Sequence, residues 1–296
     1  MIAGPRVHLY GASRAGLAIA RRARERGLLA GIWNRSPLDR ARASLAEGLP
    51  LAVGADPDPA PADLWLVTVA DHAIPAVAAR LAGALEAGAP RPRVAAHCAG
   101  ARPARDLAPL RAAGVPCGTW HPAMTFRGAE SDAAALGGAW AAIEGDAAAL
   151  EVLRSFSDVL GLVCHFVAEK QKPGYHTALV IAANGRVALD AAAERLLVDA
   201  GLDAATARQV LAPLVARTEE NLRLAGPAGA MTGPVGRGDA DTVRDQLAAL
   251  GDRPEIRSLY SALTAVLLPL VPRAGREEGH RAIADLVETR NGAGRC

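Results

Sequence analysis

The sequence has few of the features that mark exported, membrane or nucleic-acid-binding proteins. Its four cysteines show no C-x-x-C spacing, which favours reduced thiols in the cytoplasm. The most apolar stretch, Leu259 to Val271, is too short to span a bilayer, and no secretory leader opens the chain. The net charge is only +2, without a basic stripe interleaved with aromatic residues. We therefore expect a cytoplasmic protein with neither membrane nor nucleic acid as a partner.

Lysine is also scarce. Among 33 basic residues, only Lys170 and Lys172 are lysines, and all others are arginine. Lysine is the cation whose proton is most easily tuned for chemistry, so two lysines at one place make that neighbourhood a candidate site.

The first part of the chain alternates between strand-like and helical segments. Short apolar runs that suit strands covered on both faces are separated by amphipathic segments and short turns. This alternation predicts an α/β fold with a doubly wound, parallel, Rossmann-like sheet over residues 1–166. The predicted strands are Val7–Tyr10, Leu28–Trp33, Leu64–Val69, Arg93–Ala96, Val115–Trp120, Trp140–Ile143 and Gly161–Phe166.

After residue 166 the period of the hydrophobic pattern becomes helical, with glycine and proline between the segments. The sequence therefore predicts a second, all-helical domain over residues 167–296. The predicted helices are Tyr175–Ala200, Ala204–Leu224, Ala240–Leu250, Glu255–Val271 and Arg276–Thr289.

A glycine turn joins the first strand to the first helix. The turn reads Gly11, Ala12, Ser13, Arg14, Ala15, Gly16, close to the G-x-G-x-x-G pattern of dinucleotide-binding units. Unpaired N–H groups in a first helical turn favour an anion such as pyrophosphate. The second glycine is missing, and the Ser13 hydroxyl can donate to a phosphate in its place. We expect Gly11, Ser13, Arg14, Ala15 and Gly16 to hold a nucleotide; a plain tight turn is the alternative.

The second strand ends without the Asp or Glu that an NAD site uses for the ribose hydroxyls. Asn34, Arg35 and Ser36 stand there instead. A guanidinium and a hydroxyl suit a 2′-phosphate, so the sequence favours NADP over NAD. The alternative is that Arg35 is a solvated charge beside a helix-capping Ser36.

Further polar residues fall at the ends of later strands, where parallel sheets bind ligands. We expect Ala70, Asp71 and His97 to contact the cofactor, and His121 and Thr125 to contact substrate. The alternative for each histidine is a hydrogen bond to loop backbone. No short-spaced histidine pair is present, so we expect no metal. A metal-dependent hydrolase that uses His97, His121 and His176 is a weaker hypothesis.

The segment around the two lysines supplies the candidate catalytic groups, which are Lys172, Tyr175, His176 and Asn184. If Pro173 opens a helix, His176 and Asn184 lie two turns apart on one face. Such groups could polarise a carbonyl or imine and protonate it as hydride arrives. The alternative is that His176 and Asn184 are buried and pair with backbone.

A third segment, Thr232 to Asp239, is rich in glycine. Arg237 could clamp a substrate carboxylate or a cofactor phosphate. Otherwise the segment is a turn in which Asp239 caps the following helix.

Taken together, these motifs resemble a known group of bacterial oxidoreductases, the Rossmann-like plus DUF2520 domain proteins. These are relatives of pyrroline-5-carboxylate reductase, ketopantoate reductase and 6-phosphogluconate dehydrogenase. The resemblance runs from about Val7 to Tyr260. It is carried by G-x-S/G-x-x-G, N-R-S, V-x-D-x-x-I, H-x-x-G, H-P-x-x-T-F, K-x-x-Y-H-x-A, A-x-N and T-G-P-x-x-R-G-D.

The resemblance implies an NADP-binding first domain, a helical second domain like the C-terminal domain of 6-phosphogluconate dehydrogenase, and a homodimer formed through the helices. In related hydroxyacid dehydrogenases a lysine and an asparagine one helical turn apart serve the reacting carbonyl. Here His176 stands one turn after Lys172, and Asn184 lies two turns further. Lys172, Tyr175 and His176 therefore all remain possible as the general acid.

The expected function is NADP-dependent hydride transfer to a small carbonyl or imine compound that carries a carboxylate. A ketopantoate-reductase-like activity is its most concrete form. The substrate would sit among His97, His121 and the segment from Lys172 to Asn184, with Arg237 nearby. The alternative from another class is a protein that binds NADP without catalysis, as a sensor or scaffold.

Overall fold

The structure is a computed structural model that describes residues 4–271 and 275–288. Its eight strands form one sheet in the order β3-β2-β1-β4-β5-β6-β7-β8. The strands are β1 (Val7–Tyr10), β2 (Leu29–Asn34), β3 (Leu51–Val53), β4 (Leu64–Val67), β5 (Val94–His97), β6 (Cys117–Pro122), β7 (Trp140–Gly145) and β8 (Val163–Phe166).

The sheet is parallel except at one junction. Strand β7 runs antiparallel to β6, with Thr119 opposite Glu144 and His121 opposite Ala142. Strand β8 is then parallel to β7. The predicted doubly wound parallel sheet is therefore confirmed, with the antiparallel junction of β6 and β7 as the departure from it. The short strand β3 was not predicted. Strands β1, β2 and β4 to β6 end at one common edge, which positions the residues that follow them.

Thirteen α-helices are described. They are α1 (Arg14–Glu25), α2 (Arg40–Leu45), α3 (Ile74–Glu86), α4 (Ala108–Ala112), α5 (Ser131–Ala135), α6 (Ala147–Leu160), α7 (Lys172–Val180), α8 (Arg186–Asp199), α9 (Ala204–Ala230), α10 (Gly233–Arg237), α11 (Ala240–Ala249), α12 (Pro254–Leu267) and α13 (Glu277–Glu288). Short 3₁₀ turns span Asp71–Ala73, Ala104–Leu107, Glu169–Gln171 and Leu268–Leu270, and a π-helical turn spans Ile181–Gly185.

Helices cover both faces of the sheet, as predicted for a doubly wound fold. Leu17 and Ile19 of α1 and Leu153 and Phe156 of α6 pack with Leu9 on one face. Helices α3 and α4 pack with alternate strand residues, including Trp65, on the other face. This alternation follows from the two-residue period of a strand, whose neighbouring side chains point to opposite faces.

The chain separates into two compact units between Asn184 and Gly185. The predicted boundary after residue 166 places Lys172 and its helix in the second domain, whereas α7 belongs to the first unit. The second unit is helical, with Val243, Leu247 and Ile283 at the centre of its core. Residues 1–3, 272–274 and 289–296 of the predicted domains, including Thr289, lie outside the described part of the chain.

The predicted helix from Tyr175 to Ala200 begins earlier and is interrupted. Lys172 is the first residue of α7, with Pro173 in the first turn, where the missing N–H of proline removes no helical bond. The π-helical turn then follows and contains Asn184. Such turns occur often at functional sites.

Candidate functional site

The glycine turn has the geometry that the sequence predicts. Gly11 has a φ of +122°, and a Cβ there would lie 2.8 Å from the Thr68 backbone. A Cβ at Gly16 would lie 2.4 Å from the Gly11 carbonyl oxygen. The buried Thr68 hydroxyl donates to the Gly11 carbonyl oxygen at 2.6 Å. The turn thus packs closely against the residues that follow β4, and this contact fixes its conformation. Thr68 supports the turn, and the sequence motif does not include it.

Ser13 caps helix α1 by accepting the Gly16 N–H at 3.0 Å. The cap uses an oxygen lone pair and leaves the hydroxyl proton free to donate. The N–H groups of Arg14 and Ala15 have no acceptor among the described residues. The turn therefore offers two backbone donors and one hydroxyl donor to an anion.

At the end of β2, Asn34 ties two loops together. Its Oδ1 accepts the Ala12 N–H at 3.0 Å, and its Nδ2 donates to the Ser36 carbonyl oxygen at 2.6 Å. The amide thus fixes the glycine turn relative to Arg35 and Ser36, and we place Asn34 as a support for the nucleotide site. Ser36 was expected as a possible helix cap, but Asp39 caps α2 instead.

Two arginines beside this turn are available to an anion. Arg14 and Arg35 are exposed, and neither guanidinium has a hydrogen-bond or ion-pair partner within residues 4–271 and 275–288. The nearest carboxylate along the chain, Asp39, is engaged by Arg42 at 2.8 Å. No carboxylate therefore neutralises these two cations in the described structure.

His97 is a structural residue of the loop after β5. It is 0 % exposed, and its Nε2 donates to the Pro103 carbonyl oxygen at 3.0 Å while its Nδ1 accepts the Ala99 N–H at 3.2 Å. Burial lowers the pKa of His97 to about 4, so the ring is neutral. Both ring nitrogens of His97 are therefore hydrogen-bonded to the loop backbone. This arrangement fits the structural alternative for His97 better than a contact with the cofactor.

His121 and His176 form a stacked pair. Their ring centroids lie 5.5 Å apart with an interplanar angle of 22°. His121 Nδ1 donates to the Cys98 carbonyl oxygen at 2.9 Å, which leaves Nε2 as the position that gains or loses a proton. Burial lowers the pKa of His121 below its usual range. The structure thus brings together two of the predicted site residues, one from β6 and one from α7.

The other general-acid candidates lie elsewhere on the same sheet face. Lys172 is only 1 % exposed, and its Nζ donates to the Thr119 hydroxyl at 2.9 Å. Tyr175 packs against His165 of β8, with ring centroids 5.3 Å apart, and burial raises the pKa of its phenol. Lys172 and Tyr175 are therefore turned to different neighbours from those of His176.

The remaining predicted residues are exposed. Ala70 and Asp71 follow β4, Thr125 follows β6, and Asn184 lies in the π-helical turn. Arg237 belongs to the second unit and lies 3.9 Å from Asp239. Asp239 accepts the Thr242 N–H at 3.1 Å and caps α11, which confirms the structural alternative for that aspartate.

Gly100 lies directly beside the histidine pair. A Cβ there would come within 2.7 Å of both His121 Nε2 and His176 Cδ2. Gly100→Ala must therefore displace one or both rings, and we expect it to lower turnover by about 10-fold or more while costing about 1–3 kcal/mol of stability.

The matched control is Gly83→Ala in α3, where an added Cβ meets nothing within 4 Å. Because alanine favours helix over glycine, this control should leave turnover unchanged and stability equal or higher. Steady-state kinetics and thermal unfolding of both variants provide the measurement. Equal turnover for Gly100→Ala and Gly83→Ala would contradict this geometry.

No group of three His, Cys, Asp or Glu side chains that could hold a metal ion occurs within the described residues. His97, His121 and His176, the set considered for a hydrolase, make different contacts as given above. Likewise, none of the described helices has both the length and the apolar character that a bilayer span needs.

The carboxyl-terminal part of this site lies in a recognised domain. Residues 139–266 match the domain of unknown function DUF2520. The resemblance predicted from the motifs is therefore confirmed for this segment. The DUF2520 match begins at the start of β7, so it includes α7 and with it Lys172, Tyr175 and His176. None of the curated proteins matches this chain.

Solved structures show the same fold over nearly the whole chain. A Bacteroides fragilis protein provisionally described as an NADP oxidoreductase is 22% identical, with a TM-score of 0.71 over 90% of this chain and 98% of its own. A Plasmodium falciparum pyrroline carboxylate reductase with NADP bound is 9% identical, with a TM-score of 0.56 over 90% and 98%. A reductive aminase from Aspergillus terreus in complex with NADPH and ethyl-5-oxohexanoate is 20% identical, with a TM-score of 0.52 over 95% and 94%. At these identities the shared property is the fold.

Proposed function

We propose that this chain is an NADP-dependent oxidoreductase that transfers hydride to a small, carboxylate-bearing carbonyl or imine compound. One observation carries the proposal. The free donors of the glycine turn and two unpaired arginines follow β1 and β2, and His121, near the end of β6, stacks on His176 of α7. Strands β1, β2 and β6 end at the same edge of one sheet. Ligands of such sheets bind at that edge.

The residues at the first turn fit a phosphorylated nicotinamide coenzyme. Arg14 and Ala15 N–H groups and the Ser13 hydroxyl would hold the pyrophosphate, assisted by the helix dipole. Arg35 and Ser36 would hold the 2′-phosphate, since Asn34 occupies the place of the ribose-binding carboxylate. Two structures with this fold hold NADP or NADPH, which supports a nicotinamide coenzyme.

NADPH, when bound, supplies the hydride. The chain must then provide a proton to the reacting oxygen or nitrogen and hold the substrate in place. His176 is the best-placed proton donor, because Lys172 is buried against Thr119 and Tyr175 packs over β8. His121, whose Nδ1–H is fixed by Cys98, would use Nε2 to hold or relay the proton. The role of Arg237 as a carboxylate-binding group stays a prediction from the sequence.

The proposal is tested by NADPH oxidation with a panel of 2-keto acids and cyclic imines, ketopantoate and pyrroline-5-carboxylate among them. We expect turnover with at least one member and none with NADPH alone. The assay should be run beside NADPH binding on the same preparation. Tight binding with no turnover across the panel would contradict catalysis and support the non-catalytic alternative.

Two observations favour that alternative, a protein that binds NADP as a sensor or scaffold. Lys172 is only 1% exposed, and the lysine–asparagine spacing of related dehydrogenases is absent. The binding and turnover measurements described above separate the two functions.

We also propose a homodimer formed through the helical domain. Helix α8 has no buried residue and α9 has only Ala207. Val187 and Leu214 are 69% and 63% exposed. Apolar surface of this kind is typical of an oligomer interface. Light scattering should give twice the chain mass, and a monomeric mass would exclude the dimer.

Three cysteines in the described chain, Cys98, Cys117 and Cys164, are free thiols. Free thiols support the proposal that the protein works in the cytoplasm, where thiols stay reduced.

A further inference from the structure

Helix α7 meets strand β6 at two successive contacts. Lys172 and His176 are one helical turn apart in α7, and Thr119 and His121 are two residues apart on one face of β6. Lys172 contacts Thr119, and His176 stacks on His121. Four residues of a helix rise about 6 Å, and two residues of a strand span about 6.6 Å. The distance between the two contacts is therefore nearly the same along α7 as along β6. The lysine contact therefore fixes the helix at the register that the histidine pair requires.

The Lys172–Thr119 contact lies in the protein interior. Lys172 is buried, Thr119 is completely buried, and the Thr119 hydroxyl is the one hydrogen-bond acceptor for the ammonium in the described chain. A buried ammonium is costly, and replacing it with an apolar group of similar volume is often neutral or stabilising. Stability alone is therefore a poor reason for this amine to be here.

Several charged or titratable groups surround the ammonium. Glu144 stands opposite Thr119 in the sheet, but its Oε2 accepts the Ala104 N–H at 2.9 Å. Burial is the main cause of the lowered pKa of His97 and His121. The charge of Lys172 lowers both pKa values further, whereas Asp71 raises both and Asp106 raises that of His97. The charge of His176 also lowers the pKa of His121. Burial lowers the pKa of Lys172, and the charge of Glu144 opposes that effect. Lys172 is thus the buried basic group beside the stacked pair.

We propose that Lys172 and Thr119 are positioning residues, which hold His121 and His176 face to face. Lys172 does this through Thr119, without touching substrate. The inference rests on the proposed function and deepens it by assigning the residues that position its proton-handling pair. Thr119 gives little sign in the sequence apart from its place two residues before His121.

The test is an NMR titration of the histidine ring protons in the full-length, coenzyme-free protein. Four variants are compared with the wild type: Lys172→Met, Thr119→Val, Thr119→Ser and Lys170→Met. Lys170, the only other lysine, is exposed and is the matched control. We expect Lys172→Met to raise the apparent pKa of His121, as expected on removing a nearby positive charge.

The ring-current shifts of His121 and His176 report their stacking. We expect Lys172→Met and Thr119→Val to weaken these shifts, while Thr119→Ser, which keeps the hydroxyl, and Lys170→Met retain the wild-type spectrum. A folded Lys172→Met protein with unchanged signals for both histidines at every pH overturns the proposal. If that variant does not fold, identical spectra for Thr119→Val and Thr119→Ser overturn it. The titration needs neither coenzyme nor turnover, so a failure of NADPH binding would count against the function and not against this inference.

Discussion

We expect the replacement of His176 with alanine to lower kcat for the proposed NADPH-dependent reduction by about 10²-fold to 10⁴-fold, the usual contribution of a positioned general acid. The ring of His176 stacks on His121 and is not among the residues of the glycine turn. The Kd for NADPH should therefore stay at the wild-type value. The measurement is steady-state kinetics with the best substrate of the panel, beside calorimetric NADPH binding.

The control for His176→Ala is Thr177→Ala, the next residue of α7, whose hydroxyl bonds only to the backbone of its own helix. It should keep turnover within a small factor of the wild type. His121→Ala should also be impaired, and the double variant should fall little below the worse single variant, because the two rings act as a unit. Full turnover in the folded His176→Ala protein would remove the pair from the mechanism.

Replacing Arg35 with alanine should raise the Kd for NADPH by about 10-fold to 100-fold, with little effect on NADH. The guanidinium is free of any carboxylate in the described structure, so its charge is available to a 2′-phosphate that NADH lacks. Because the contact is exposed, added salt should reduce the difference between the two coenzymes in the wild type.

The control for Arg35→Ala is Arg26→Ala, which removes an exposed arginine at the opposite end of α1. It should leave both dissociation constants unchanged. Comparable losses of NADPH and NADH affinity in Arg35→Ala would mean that the side chain shapes the loop rather than reading the 2′-phosphate.

The alternation of strands and helices could be predicted because each parallel strand is a short apolar run between turn residues. The direction of β7 could not, since residues such as Ala141, Ala142 and Ile143 suit a buried strand of either direction. Strand β3 has three residues, and only Leu51 among them is even partly buried, so its hydrophobic signal is too short to detect.

Site residues whose role depends on local backbone geometry could be predicted from the sequence. Residues whose role depends on tertiary packing could not. Gly11 and Gly16 follow from the backbone geometry that a glycine turn needs. The pairing of His121 with His176 depends on α7 crossing the sheet face, which no local pattern specifies. The same holds for His97, which stands at a strand end like a ligand-binding residue but is satisfied by Pro103 and Ala99. Burial of Lys172 is likewise a tertiary effect.

The most direct test of the proposed NADP site is calorimetric titration of the purified wild-type protein with NADPH and, separately, with NADH. We expect saturable, one-site binding of NADPH that is at least about 10-fold tighter than binding of NADH, because only NADPH carries the phosphate that Arg35 and Ser36 would hold. No detectable binding of NADPH, or tighter binding of NADH, would contradict it.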